Sequence, residues 1–265
     1  VIRLLWEVGR RSFRLATTYR LATASGVFIN TVFGYLRAAI LVFVARTAGG
    51  EVNGMTEADL ATFSFVSQGF LMIVGAFGHT ELSLRIRKGD VVVDLYRPVD
   101  LQLWELANWL GNSAFQVLAR GVPPILLGAI AFDLVWPTSW QQWLAFAAST
   151  VLASIVGMAV RFCSALTAFW LLDNRGIEQL LVIAISFFAG LLLPINLFPD
   201  WLAAVARATP FASMIQLPVE IYLGQHDGWA MVSILAQQAL WVVLLVMAGR
   251  VILAAATRKV VIQGG

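Results

Sequence analysis

Apolar runs of about 18 or more residues recur along this chain, long enough at roughly 1.5 Å per residue to cross about 30 Å of hydrocarbon as helices. They set the fold class: an all-α integral membrane protein. Of the 265 residues 60% are hydrophobic and 12% charged, where a soluble domain carries roughly 45–50% and 25%. The one cysteine, Cys163, lies inside an apolar run, so the chain holds neither a disulfide framework nor a cysteine metal site. A net charge of +3 is not a nucleic-acid footprint here. The basic residues sit beside membrane segments, where they act as topology signals.

Arg3, Glu7, Arg10 and Arg14 form one polar helical stripe, with Ile2, Leu5, Trp6, Phe13 and Ala16 on the other side. This pattern predicts an interfacial elbow helix over 1–20 and argues against a cleaved signal peptide. Six spans are then expected, at 22–46, 60–79, 103–135, 141–171, 179–196 and 229–256, within one transmembrane domain. "GVPP" at 121–124 should kink the third by removing backbone donors. "DNRGIE" at 173–178 reads as a tight polar turn. Before the last span, Pro199 and Pro210 bracket a segment too short to cross, with Asp200 placed to cap it. The stretch 198–224 is expected to form a short helical hairpin dipping into the outer leaflet; the alternative is one helix lying on the surface.

Twelve basic residues fall in the N-terminal segment, the loop around 80–102, the 173–178 turn and the tail, against Arg207 alone in the opposite loops. The asymmetry predicts both termini in the cytoplasm. Trp136, Trp140, Trp143, Trp201 and Trp229 then form an aromatic belt on the outer side.

One compact stretch breaks the apolar pattern. "RIRKGDVVVDLYRPVD", residues 85–100, holds seven charged side chains in sixteen positions. Asp90 can cap a short helix, Val91 to Tyr96 can form it and Pro98 stops it. Val92, Val93 and Leu95 then need a cover, which makes the island a docking segment; the alternative is a solvated loop whose charges set topology.

"GDVVVDLYRPVDLQLWELANWLGNSAFQVLARG", "LFPDWLAAVARATPFASMIQLPVEIYLG", "NTVFGYLRAAILVFV" and the "VIQGG" tail resemble the ABC-2-type permeases, membrane subunits of ATP-binding-cassette exporters. The resemblance implies an elbow helix before six spans, a coupling helix after the second span that docks into an ATPase subunit, and short gate helices before the sixth. It assigns Arg87, Lys88, Gly89, Asp90, Val93, Asp94, Leu95, Arg97 and Pro98 to the coupling segment. Val93 and Leu95 would enter the ATPase groove, and Asp94 and Arg97 would make ion pairs at its rim. Pro199, Asp200, Trp201, Pro210 and Phe211 fall in the outer gate.

The implied function is export of a hydrophobic or amphiphilic substrate (drug, lipid or peptide) across a bacterial inner membrane. The chain carries no phosphate-binding loop, since "GGEVNG" lacks the Lys. ATP and Mg therefore belong to a separate ATPase. The other partners implied are a second ABC-2-type permease, related or identical, and membrane lipid. Asn30, Arg37 and Gln68 are candidates for lining the pathway, because polar groups inside spans are costly without a use or a partner. The alternative from another class is an ion-coupled secondary transporter using intramembrane Arg and Asp; matching broken spans in two halves are not evident. Enzyme readings find little: His79 and Glu81 are two apart, share no helix face and have no third ligand near, and His226 reads as an outer-loop residue beside Asp227.

Overall fold

The computed structural model describes residues 1–77, 80–171 and 173–263; His79 lies outside them. Helix dominates. The amphipathic start forms α1 (Ile2–Thr18), and after a break at Tyr19 the first apolar run forms α2 (Arg20–Thr47). A hairpin of β1 (Glu51–Val52) and β2 (Met55–Thr56) turns at Asn53 and Gly54, both at positive φ. This is the backbone that an Asn-Gly pair favours. Thr56 and Asp59 then form a reciprocal capping box that starts α3 (Glu57–Ile73).

The second span was expected to run on to 79, but α3 ends at Ile73. Gly75 takes φ +61, and a Cβ there would lie 2.3 Å from the Trp109 indole, so the chain turns where an aromatic ring leaves no room for a side chain. Helix resumes as α4 (Glu81–Lys88), which Gly89 stops at φ +81. The single turn α5 (Val91–Leu95) follows, with Asp90 in helical backbone and making no side-chain cap. The capping role expected of Asp90 is therefore absent.

The third apolar run gives α6 (Leu101–Gln116), a π turn at Val117–Gly121, and α7 (Val122–Gly128). Pro123 and Pro124 lack the N–H a helix needs, and the wide π turn directly before them takes up the mismatch. The helix expected as far as 135 thus ends at Gly128, and irregular chain leads to Ser139, whose hydroxyl accepts from the Gln142 amide at 3.2 Å. That cap opens α8 (Trp140–Leu166). α9 (Arg175–Phe188) is also shorter than expected, because Gly190 at φ +81 reverses the chain. Two separate short helices, α10 (Asp200–Arg207) and α11 (Gln216–Tyr222), precede α12 (Gly228–Gln263). Pro199, not Asp200, occupies the cap position of α10.

Among the described residues, three helices are long and apolar enough to cross a membrane: Arg20–Thr47, Trp140–Phe169 and Gly228–Arg258. Phe28, Phe43, Leu240, Met247 and Val251 on the first and last of them are more than half exposed. Water does not tolerate so extensive an apolar exterior, and lipid does. The interior is organised around α3, which is buried along almost its whole length. Phe63, Phe70 and Val74 pack with Val156 of α8, Ile185 of α9 and Met214 and Tyr222 around α11 in the largest core cluster. Glycines permit the closest helix crossings. A Cβ on Gly111 of α6 would sit 2.0 Å from the carbonyl oxygen of Gly9 on α1.

Candidate functional site

At one end of the helices the charged island is a folded element. Arg85 on α4 ion-pairs with Asp94 of α5 at 2.8 Å and with Glu105 at the start of α6. Arg97 closes on the other oxygen of Asp94 at 3.0 Å and lies 4.8 Å from the Trp104 ring centroid. Burial alone would lower the Arg85 pKa, but Glu105 and Asp94 hold it above its ordinary value. Arg250 of α12 pairs with Asp100. On the far side of α4, Ser83 donates to Asn174 at 2.9 Å, Thr80 to Glu178 at 3.1 Å, and Arg87 pairs with Asp173 at 3.3 Å. Hydrogen bonds from the Arg175 side chain and backbone N–H hold Asp173 down to about 2. The island and the 173–178 turn are therefore one pinned unit.

What this unit presents differs from expectation in two residues. Asp94 is only 5% exposed and is engaged by two arginines of its own chain, so the rim ion pair assigned to it has no free carboxylate. Leu95 packs against the chain's own core with Leu82, Ile86 and Val91, so it is not free to enter a groove. The exposed apolar residues are Val92, Val93 (64%) and Tyr96 (85%). Lys88, Gly89, Asp90, Arg97 and Pro98 are exposed around them. The result is a small apolar knob ringed by charge on a braced stem.

Beside the stem, a cavity of about 990 Å³ opens between α1, α3, α4, α6 and α8. Its α6 wall carries Glu105, Asn108, Asn112 and Gln116, and Arg120 of the π turn continues the column. Asn30, Arg37 and Gln68 do not line it. Asn30 and Gln68 are buried between helices, and Arg37 donates to Ser67 at 3.0 Å across the α2–α3 contact. Arg37 is thus tied into the α2–α3 contact rather than facing that cavity.

The opposite end has its own polar network, which the sequence did not announce. Glu220 of α11, 1% exposed, accepts from Arg207 of α10 at 2.5 and 3.1 Å and from Gln216 at 2.8 Å, and lies 3.0 Å from the His226 ring. Burial would raise this carboxyl, but hydrogen bonds with His226, Arg207 and Gln216 hold it below its usual value. Asn196 accepts from Arg207 and Gln216, Gln216 accepts from the Ile195 amide at 2.9 Å, and Asn53 donates to the Asn196 carbonyl. The hairpin α10–α11 is thereby locked to the chain after α9 and to the β-hairpin. Of the expected gate residues, Pro199, Asp200 and Trp201 are exposed, and Phe211 stacks on Phe188 at 6.4 Å.

Among the described residues no cluster of metal-binding side chains occurs. A family model described as an ABC-2 family transporter protein matches residues 30–264. Comparison with curated proteins and with solved structures gives no match.

Proposed function

The chain belongs to the ABC-2 transporter family and is a membrane permease component of an ABC transporter; from that premise we propose that it is the six-span half of an exporter driven through the Val92–Val93–Tyr96 knob. The observation that carries this reading is the knob itself. A five-residue helix with two of its apolar residues and the following tyrosine turned outward would be a liability unless a partner covers them. The stem is built to transmit force: Arg85 links α4, α5 and α6 through two carboxylates. Displacement of the knob is therefore passed to the start of α6 and, through Arg250–Asp100, to α12.

The partner supplies ATP and Mg chemistry in a separate nucleotide-binding subunit. A second permease, identical or related, completes the pathway, and the knob and both termini face the cytoplasm of a bacterial cell. The cargo is hydrophobic or amphiphilic. α10 and α11 sit on the outer side as the gate, held shut or open as one piece by Glu220. The test is disulfide or photo-crosslinking from Val93→Cys in membranes of cells in which transport is active, read against the nucleotide-binding proteins present. A specific adduct at position 93, absent from Val91→Cys, supports the reading. No adduct with any nucleotide-binding protein, in cells where transport is active, overturns it.

A further inference from the structure

We propose that the cavity between α1 and α6 is a binding site for an anionic membrane lipid, with its phosphate at Arg120 and its acyl chain against α1. This inference stands apart from the direction of transport and from the coupling knob.

Charge comes first. Four carboxylates (Glu7, Glu81, Asp94 and Glu105) and five arginines (Arg11, Arg85, Arg97, Arg120 and Arg161) line the cavity; Arg85 and Arg97 are taken up by Asp94 and Glu105, so the lining carries a net positive charge. Arg120 has no carboxylate partner among the described residues. It donates to the Ala22 carbonyl at 3.1 Å, and its Nε is buried with no hydrogen-bond partner. Arg11 at the rim is likewise outside every ion pair among the described residues. The excess charge of the lining is positive by one, and an anion at Arg120 is the group that satisfies it.

Hydrogen bonding points the same way. Trp109 and Gln116 also line this space, and the Trp109 Nε1 and Gln116 Oε1 are buried without hydrogen-bond partners. Buried polar groups are normally satisfied, so a cluster left open along one wall marks a missing ligand. Donors at Trp109 and Arg120 suit phosphate oxygens, and the Gln116 acceptor suits a headgroup hydroxyl. Leu4, Val8 and Leu15 of α1 and Phe162 of α8 add apolar lining, interrupted on α1 by Glu7, Arg11 and Ser12. Polar and apolar lining side by side suit an amphiphile. At about 990 Å³ the cavity is at the top of the roughly 300–1,000 Å³ range of small-molecule pockets.

The indoles of Trp104 and Trp109 make the site readable. The full chain is placed in phosphatidylcholine nanodiscs doped with phosphatidylglycerol or phosphatidylcholine carrying brominated acyl chains, and tryptophan quenching is titrated. Quenching lost in Trp109→Phe isolates the cavity signal. The wild type should show brominated phosphatidylglycerol quenching that signal at about tenfold lower doping than brominated phosphatidylcholine, the discrimination expected of one charge-assisted contact. Arg120→Gln should abolish the preference and Arg120→Lys should keep most of it. Equal quenching by the two lipids in the wild type overturns the proposal whether or not any variant folds. A preference that survives in folded Arg120→Gln overturns the assignment of Arg120. Equal competition by soluble glycerol phosphate would show a headgroup site without a lipid and also overturn it.

Discussion

Changing Val93 to Asp tests docking without touching the fold. Full burial of a valine is worth about 1.5–3 kcal/mol, and Val93 is already 36% covered by its own chain, being 64% exposed. About two-thirds of that energy, roughly 1–2 kcal/mol, is available to a partner. Its loss corresponds to about 5–30-fold in affinity, before any penalty for burying the new carboxylate. Tyr96→Ser removes a larger, 85% exposed surface and should act in the same direction. Val91→Asp is the counterpart: Val91 is 2% exposed in the α4–α8 cluster, so it should damage the permease itself. The assay is pull-down of the ATPase by each variant in detergent, with thermal unfolding of the permease measured in parallel. Val93→Asp should lose ATPase at unchanged unfolding temperature, and Val91→Asp should unfold early. Undiminished ATPase recovery with both Val93→Asp and Tyr96→Ser would refute the knob as the docking surface and leave the island as a solvated, topology-setting loop.

Three further outcomes follow from the same geometry. Gly111→Ala forces a methyl against the Gly9 carbonyl of α1 and should destabilise the detergent-solubilised chain by about 1–3 kcal/mol; an unchanged unfolding temperature would mean that α1 does not rest on α6. The Glu220 carboxyl is held below its usual value in the fold, so its stabilisation is complete above the unfolded value near 4.5 and drains away as pH falls through the folded one. Glu220→Gln should flatten that acid limb and cost about 2–3 kcal/mol, less than the roughly 3–5 of a fully buried pair because Arg207 is 38% exposed; an unaltered acid limb would show that the network does not set it. Single cysteines at Gly89 and Asn53 should label from opposite faces of the membrane, and labelling from the same face would contradict the topology on which the coupling role rests.

Signals that live in a few neighbouring residues were legible in the sequence. The stripe of α1, the proline-associated distortion of the third apolar run and the presence of two short helices before α12 follow from local periodicity and backbone chemistry. Helix ends set by distant atoms were not. Nothing near Gly75 in the chain announces that Trp109 will occupy the space where its side chain would be, so α3 was expected to continue. The Glu220 network was equally hidden, because its members come from loops and helices whose approach exists only in the fold.

The outward placement expected of Leu95 has a different cause, since the signal to avoid it was present. Val93 and Leu95 are two residues apart, and on a helix that spacing places side chains on nearly opposite sides. If the island forms a helix, only one of the pair can face a partner. The period of 3.6 groups Val91, Asp94 and Leu95 on one face and Val92, Val93 and Tyr96 on the other. The apolar character of Leu95 drew it into the outward set, whereas the anchoring residues were fixed by what Arg85 needs. Arg85 sits on a buried stem and requires a carboxylate, and the only one that α5 can offer from within its own turn is Asp94. Once that ion pair directs Asp94 inward, Val91 and Leu95 must go with it, and the outward face is left to Val92, Val93 and Tyr96. A charged pair thus decides which apolar residues are left exposed, and under the proposed coupling role Arg85→Ala should disturb docking although Arg85 is not itself on the exposed face.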